Sequence, residues 1–154
     1  MKVCGIDPGN SGAMCVLDPI VDPVHIEFLD LKKHSSYEIA KWLHLQQVDS
    51  IWIEDVHSLF GMSAKSNFGF GRSVGTARAI AEIATQGKQI NTVTPKIWQK
   101  NIGVTSKGKK IKINVAQLVA ELYPTAEIYG PQGGLLDGRS DALMIAHYGI
   151  THKE

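Results

Sequence analysis

The chain opens on short apolar runs that end abruptly in polar turns. Val3-Cys4-Gly5-Ile6 leads into Asp7 and breaks at Pro8-Gly9, so the pattern predicts a strand over 2–7 with Asp7 at its exit. Strands are predicted at 12–18 and 25–31, and Asp18-Pro19 to Asp22-Pro23 is the turn between them, which makes the first three strands an antiparallel meander. A helix over 37–46 follows, capped by Ser35 or Ser36 and carrying Ile39, Trp42 and Leu43 on one face. Ser50-Ile51-Trp52-Ile53 is short and rich in β-branched and aromatic residues, which favours a buried strand ending at Glu54. Beyond it the pattern predicts a long loop, a helix over 70–86, a strand over 90–93, and helices over 95–101, 111–123 and 140–148. Three antiparallel strands followed by alternating helices and strands describe an α/β protein, a mixed five-stranded sheet with helices on both faces. At 154 residues, with no internal repeat or low-complexity linker, the expected organisation is a single domain over 1–154.

Carboxylates stand where these apolar elements end. Asp7 and Glu54 each close a predicted strand, and Asp137 and Asp141, four residues apart, fall on one side of the start of the last helix. Strand alternation turns Asp55 to the opposite face from Glu54. Taken singly, each acid has an ordinary explanation: turn chemistry for Asp7, a helix cap for Asp137, a solvated strand end for Glu54. Taken together they form a cluster whose mutual repulsion needs an opposing charge, which a hard divalent cation with oxygen ligands supplies. Two such ions about 3.5 to 4 Å apart can activate water and stabilise the leaving oxygen of a phosphodiester.

Gly5-Ile6-Asp7-Pro8-Gly9, Ile53-Glu54-Asp55-Val56 and Ser140-Asp141-Ala142-Leu143 resemble, in order and spacing, the motifs of RuvC-type Holliday junction resolvases, and the short RuvC-like resolvases of bacteriophages most. The resemblance spans nearly the whole chain. It implies an RNase H-like (retroviral integrase-like) fold, a homodimer, and paired nicks in opposed strands of a four-way DNA junction, a step of DNA recombination and repair. It also implies two Mg²⁺ ions per active site, replaceable by Mn²⁺, with Asp7, Glu54 and Asp141 as matching acids. The family places a further acid three residues before the last, where this chain has Gly138; Asp137, one residue earlier, is expected to take that role.

Composition then sharpens the substrate. The formal net charge is only +1, yet no Asp or Glu occurs from Lys88 to Ala120, a stretch holding seven lysines. Such a run can be a solvated face; beside a metal site it becomes a phosphate track, with Lys107, Lys109, Lys110 and Lys112 at the opening of a helix. By resemblance one of them contacts the scissile phosphate, with Lys107 and Lys110 preferred. Residues 57–75 interleave Phe60, Phe68 and Phe70 with glycines, Lys65 and Arg72. Aromatics there suit wedging into unpaired bases while Lys65 and Arg72 hold backbone; the alternative is local packing of phenylalanines under a loop. The stripe Val74, Ala77, Ala81 and Ala84 suits close packing, and the resemblance implies a dimer interface on this helix. His57, three residues after Glu54, and the tryptophans Trp42, Trp52 and Trp98 are expected to be structural.

Cys4 and Cys15 are expected to be reduced core residues, and neither they nor the six histidines form a zinc pattern. No apolar run reaches 18 residues and no leader is visible, so the expectation is a protein without a membrane partner in the cytoplasm of a bacterial or phage-infected cell. Branched DNA is the expected partner. A nuclease of RNA:DNA hybrids or flaps, a sugar-kinase-like ATPase and a non-catalytic junction binder are the competing classes. The ATPase needs a second such domain, and the junction binder needs no acid cluster.

Overall fold

The computed structural model describes residues 1–57, 61–88 and 90–152. Five strands form one mixed sheet in the order β3-β2-β1-β4-β5: β1 (Val3–Ile6), β2 (Ala13–Asp18), β3 (His25–Asp30), β4 (Ser50–Glu54) and β5 (Ile90–Val93). The β1/β2 and β2/β3 pairs are antiparallel, as the pattern predicts, and β4 runs parallel to both β1 and β5. The registers pair Ile6 with Ile53 and place Glu54 opposite Val93, so β1 and β4 end side by side.

The period of two along the strands sorts the core into two layers. Val3, Ala13, Cys15, Leu17 and Trp52 face α3 (Pro95–Asn101), α4 (Lys110–Leu122) and α5 (Asp137–Thr151). Cys4, Ile6, Met14, Val16, Ile51 and Ile53 face α1 (Ser36–Gln46) and α2 (Ala64–Ala84). Ser35 caps α1 through a reciprocal capping box with Glu38, as its spacing predicts. Both cysteines are free and buried.

The central helix α5 lies directly on β1 because Gly5 lets it. A Cβ on Gly5 would stand 2.1 Å from the Ala142 carbonyl oxygen and 2.4 Å from the Ala146 nitrogen. Further along α5, a Cβ at Gly149 would meet the ring of Trp52 on the next strand, β4, at 2.3 Å. Residues Ala142 through Ala146 are fully buried, which puts the start of α5 over the strand ends.

One expectation is corrected. Helix α2 begins at Ala64, not near residue 70, capped by Ser63, whose hydroxyl accepts from the Ser66 N–H. Lys65, Phe68, Phe70 and Arg72 therefore lie on a helix rather than in a Phe-Gly loop. Gly69, Gly71 and Gly75 have nothing within 4 Å of a would-be Cβ; glycine inside a helix weakens it by about 1 kcal/mol each without breaking it. Phe60 falls outside the described residues. Ala77, Ala81 and Ala84 are buried within the chain's own core alongside Ile39 and Leu43 of α1, the close packing that their spacing suits.

Candidate active site

Four carboxylates are positioned at one end of the sheet. Asp7 follows β1 on the same side as Val3 and Gly5, and Glu54 ends β4 on the same side as Trp52, the side α5 covers. Helix α5 starts at Asp137, three residues earlier than its hydropathy suggests, so Asp137 is its first residue and Asp141 lies one turn on. The charge of Asp137 acts on Asp7, that of Asp7 on Glu54, and those of all three on Asp141. The four acids therefore stand at one end of the sheet, near enough for their charges to act on one another.

Their local partners differ. The Asp7 Oδ1 accepts from the Gly9 N–H at 3.0 Å, a turn contact that holds the carboxyl at the strand exit. Glu54 Oε1 accepts from the Trp98 indole N–H at 2.8 Å. The Asp137 Oδ2 pairs with the Lys112 ammonium, and Ser140 Oγ donates to the Asp137 carbonyl at 2.9 Å. Burial pushes all three strand and helix acids toward their neutral forms. Asp7 is raised by desolvation against the pull of the Gly9 N–H. Glu54 is pushed up to about 7, by desolvation first and by Asp7, while Trp98 opposes the change. Asp141 is pushed up to about 8 by desolvation and by the charges of Asp7, Glu54 and Asp137. The Lys112 ammonium is raised, chiefly through its bond to Asp137.

Among the described residues, no three His, Cys, Asp or Glu side chains are already drawn together as a metal-binding group. Glu54 is bonded to the Trp98 indole N–H and Asp137 to the Lys112 ammonium. The donor chemistry nonetheless fits a hard divalent ion, being all carboxylate oxygen with no sulfur or imidazole. Desolvated acids held near the neutral form are the groups such an ion would charge.

Gly138 explains why the fourth acid sits one residue early. A Cβ at this position would lie 2.2 Å from the Ser11 carbonyl oxygen, so the helix can dock on the turn after β1 only without a side chain there. Asp137 is the first position before it that can carry a carboxylate. Asp55 leaves the site, as alternation predicts, its N–H bonded to the Val93 carbonyl. His57 stands exposed beside Asp55, Nε2 to Oδ2 4.0 Å.

The basic residues divide. Of the four lysines at the α4 opening, Lys112 is the one whose ammonium enters the charge balance of the acids; the preferred pair, Lys107 and Lys110, are exposed and form no ion pair among the described residues, as does Lys109. On α2, Lys65 and Phe68 are exposed, Phe68 at 73%. Phe70 lies against Gly9, and Arg72 borders a cavity beside that turn. Two contributors escaped the sequence reading. Trp98, expected to be purely structural, is fully buried and also orients Glu54; the contact joins residues 44 apart, and no local motif announces it. Arg139 clamps α5 to β3 by donating to both oxygens of Asp30, at 2.7 and 2.9 Å.

No family model matches the chain, and no curated protein does. Solved structures do. The structure of Thermus thermophilus RuvC superposes with a TM-score of 0.61 at 19% identity, covering 98% of this chain and 96% of that one. T. thermophilus RuvC in complex with Holliday junction substrate gives a TM-score of 0.59 at 19% identity over the same shares. The fowlpox virus resolvase with substrate Holliday junction DNA gives 0.56 at 17% identity, covering 98% of this chain and 97% of that one. The chain has the same fold as RuvC.

Proposed function

We propose that the chain is a divalent-metal-dependent endonuclease that resolves four-way DNA junctions by paired nicks. The observation that carries this reading is the convergence of Asp7, Glu54, Asp137 and Asp141 at one end of the sheet, three of them raised by burial. A fold built for structure alone would pair or solvate these acids. The structural neighbours solved with Holliday junctions supply the substrate class.

In this reading the four acids would hold two Mg²⁺ ions, or Mn²⁺ in their place. Bound there, the ions supply an activated water and neutralise charge on the leaving oxygen. The chain's own groups prepare the geometry. Gly9 N–H and Trp98 N–H fix the Asp7 and Glu54 carboxyls before substrate arrives, and Lys112, at the exposed edge of the cluster, is placed to donate to a phosphate oxygen. Cleavage of the P–O3′ bond leaves 5′-phosphate and 3′-hydroxyl ends. Two opposed nicks in a pseudo-symmetric junction require two active sites related by a two-fold axis, which a homodimer provides. Lys107, Lys109 and Lys110 extend the phosphate contacts along the exposed opening of α4. Among the described residues no helix is long and apolar enough to cross a membrane.

The deciding experiment compares cleavage of four-way junctions, forks, flaps and RNA:DNA hybrids in Mg²⁺, alongside sedimentation of the protein on junction DNA. Resolution of four-way junctions by a dimer is expected. Preferential cleavage of hybrids, or a monomer on the junction, would replace this reading with that of a different RNase H-like nuclease, and metal-independent binding without cleavage would leave a junction-binding protein.

A further inference from the structure

A cavity of about 360 Å³ opens beside the Asp7 turn, on the α1/α2 face of the sheet. One wall is the Pro8-Gly9-Asn10 turn itself. We propose that this cavity receives one unpaired nucleotide of the DNA strand adjoining the scissile phosphate. The proposal rests on the nuclease reading above and adds to it the element that recognises an unpaired base.

The lining has the chemistry of a nucleotide rather than of a bare ion. Lys32, from the connection between β3 and α1, and Arg72, from α2, bring cationic side chains from two directions, His34 stands beside Lys32 in the lining, and no Asp or Glu contributes to the wall. Beneath them lie Ile39, Ala77 and Ile80, an apolar floor against which a base can rest. Ser73 and Thr76 add hydroxyls. Ser73 Oγ is bonded to Asn10 Oδ1 at 3.2 Å and to the Gly69 carbonyl at 3.1 Å, which ties α2 to the turn that carries Asp7.

The cations here are treated differently from their neighbours. Lys33 pairs with Asp30 and Arg78 with Glu82, whereas Lys32 and Arg72, on the same two elements, form no ion pair among the described residues. Unspent positive charge over an apolar floor suits a phosphate attached to an aromatic ring. The volume is near the lower end of the range for sites that enclose small ligands, about 300–1,000 Å³, which is room for one nucleotide rather than a base pair. Extracting a base costs least where it is already unpaired, so a pocket of this kind at the cleavage point favours a branch over continuous duplex.

The test has two arms on the full-length chain. In the first, a 5′-phosphorylated single-stranded trithymidylate is titrated in while the methyl resonances of Thr76 and Ala77 are followed by NMR. Saturable shifts are expected in the native protein, with affinity at least ten-fold weaker in Lys32→Glu and no shifts attributable to the cavity in Thr76→Trp, which fills it. In the second arm, 2-aminopurine flanks the mapped cleavage point of a four-way junction held uncleaved in Ca²⁺. Its fluorescence is expected to change on binding to the native protein and to Asp7→Asn, and to change far less with Lys32→Glu. Circular dichroism checks each variant; Lys32 is exposed, so Lys32→Glu carries the test if Thr76→Trp does not fold. Unshifted methyl resonances, or shifts and fluorescence identical in Lys32→Glu, overturn the pocket. Junction cleavage with a silent pocket overturns this inference alone. A pocket that binds trithymidylate in a protein that cleaves no junction leaves the pocket standing and removes the resolvase reading.

Discussion

Asp30 and Asp141 lie against the same helix and meet opposite fates. Asp30, at the end of β3, receives two hydrogen bonds from Arg139 and one from Lys33, and these hold its carboxyl down at about 2. Asp141, two residues beyond Arg139 on α5, is held up at about 8 by burial first and then by the three acids around it, with Lys112 only a minor relief. The chain can satisfy a partly buried carboxylate and does so at the anchor of α5. It leaves the neighbouring cluster short of positive charge, and the contrast marks the cluster as a place for something that arrives later.

The contrast breaks most completely through catalysis. Asp7→Asn or Asp141→Asn is expected to lower junction cleavage by about 10³-fold or more while binding persists, since each removes an ion ligand and a negative charge near phosphate. Unchanged cleavage in gel assays would take that residue out of the site. The equivalent change at Asp30 acts on stability instead: Asp30→Asn is expected to cost about 2 kcal/mol in denaturant unfolding, because Arg139 is left partly buried without its partner.

The pH dependence of the metal-free protein separates the two regions by sign. Glu54 and Asp141 have folded values of about 7 and 8, above their ordinary 4.5 and 3.8, so the folded state holds protons that the unfolded chain has lost. Stability should therefore fall as pH rises from about 4 to about 8 and level off above, and saturating Mg²⁺ should remove much of that fall. Asp30 has the reverse sign: its contribution is complete above 3.8 and is lost as pH drops through about 2. Denaturation curves across this range should show Asp141→Asn flattening the upper limb and Asp30→Asn the lower; a profile unmoved by Asp141→Asn would contradict the unsatisfied cluster.

Smaller effects refine the comparison. Trp98→Phe keeps an aromatic ring in the core and removes the donor to Glu54. Cleavage should drop about ten-fold, with the pH–rate profile displaced to higher pH because the N–H that lowers the Glu54 value is gone. A purely structural tryptophan would change stability without moving that profile. Replacing Lys107 and Lys110 together with Ala should weaken junction binding and reduce its salt dependence by up to about two phosphate contacts; an identical salt slope would assign both lysines to the solvated face of α4.

Much of this was legible in the linear chain because strand periodicity is strict. Side chains alternate along each run, which turns Asp55 away from Glu54 without reference to any other residue, and the β1/β4 register then sets Asp7 and Glu54 on one face. Helix boundaries were less legible where glycine misleads. Gly69, Gly71 and Gly75 suggest a loop, yet Ser63 starts a helix that carries them on open positions, so Lys65, Phe68 and Arg72 stand on a rigid element. The alanine stripe of α2 has the right spacing for packing, but spacing does not say whether the partner is a second subunit or the chain's own sheet.

The sequence by itself determined which acids lie at strand ends and that a mixed sheet carries them, because hydrophobic period and turn residues act over a few neighbouring positions. The tertiary structure decided what those acids experience. Gly138 pressing on Ser11 sets the fourth acid at Asp137, Trp98 reaches Glu54 across 44 residues, Lys112 rather than Lys107 or Lys110 meets the cluster, and Arg139 compensates Asp30 while leaving Asp141 uncompensated. Charge, burial and hydrogen bonding depend on distance in space, and the fold alone turns separation along the chain into that distance.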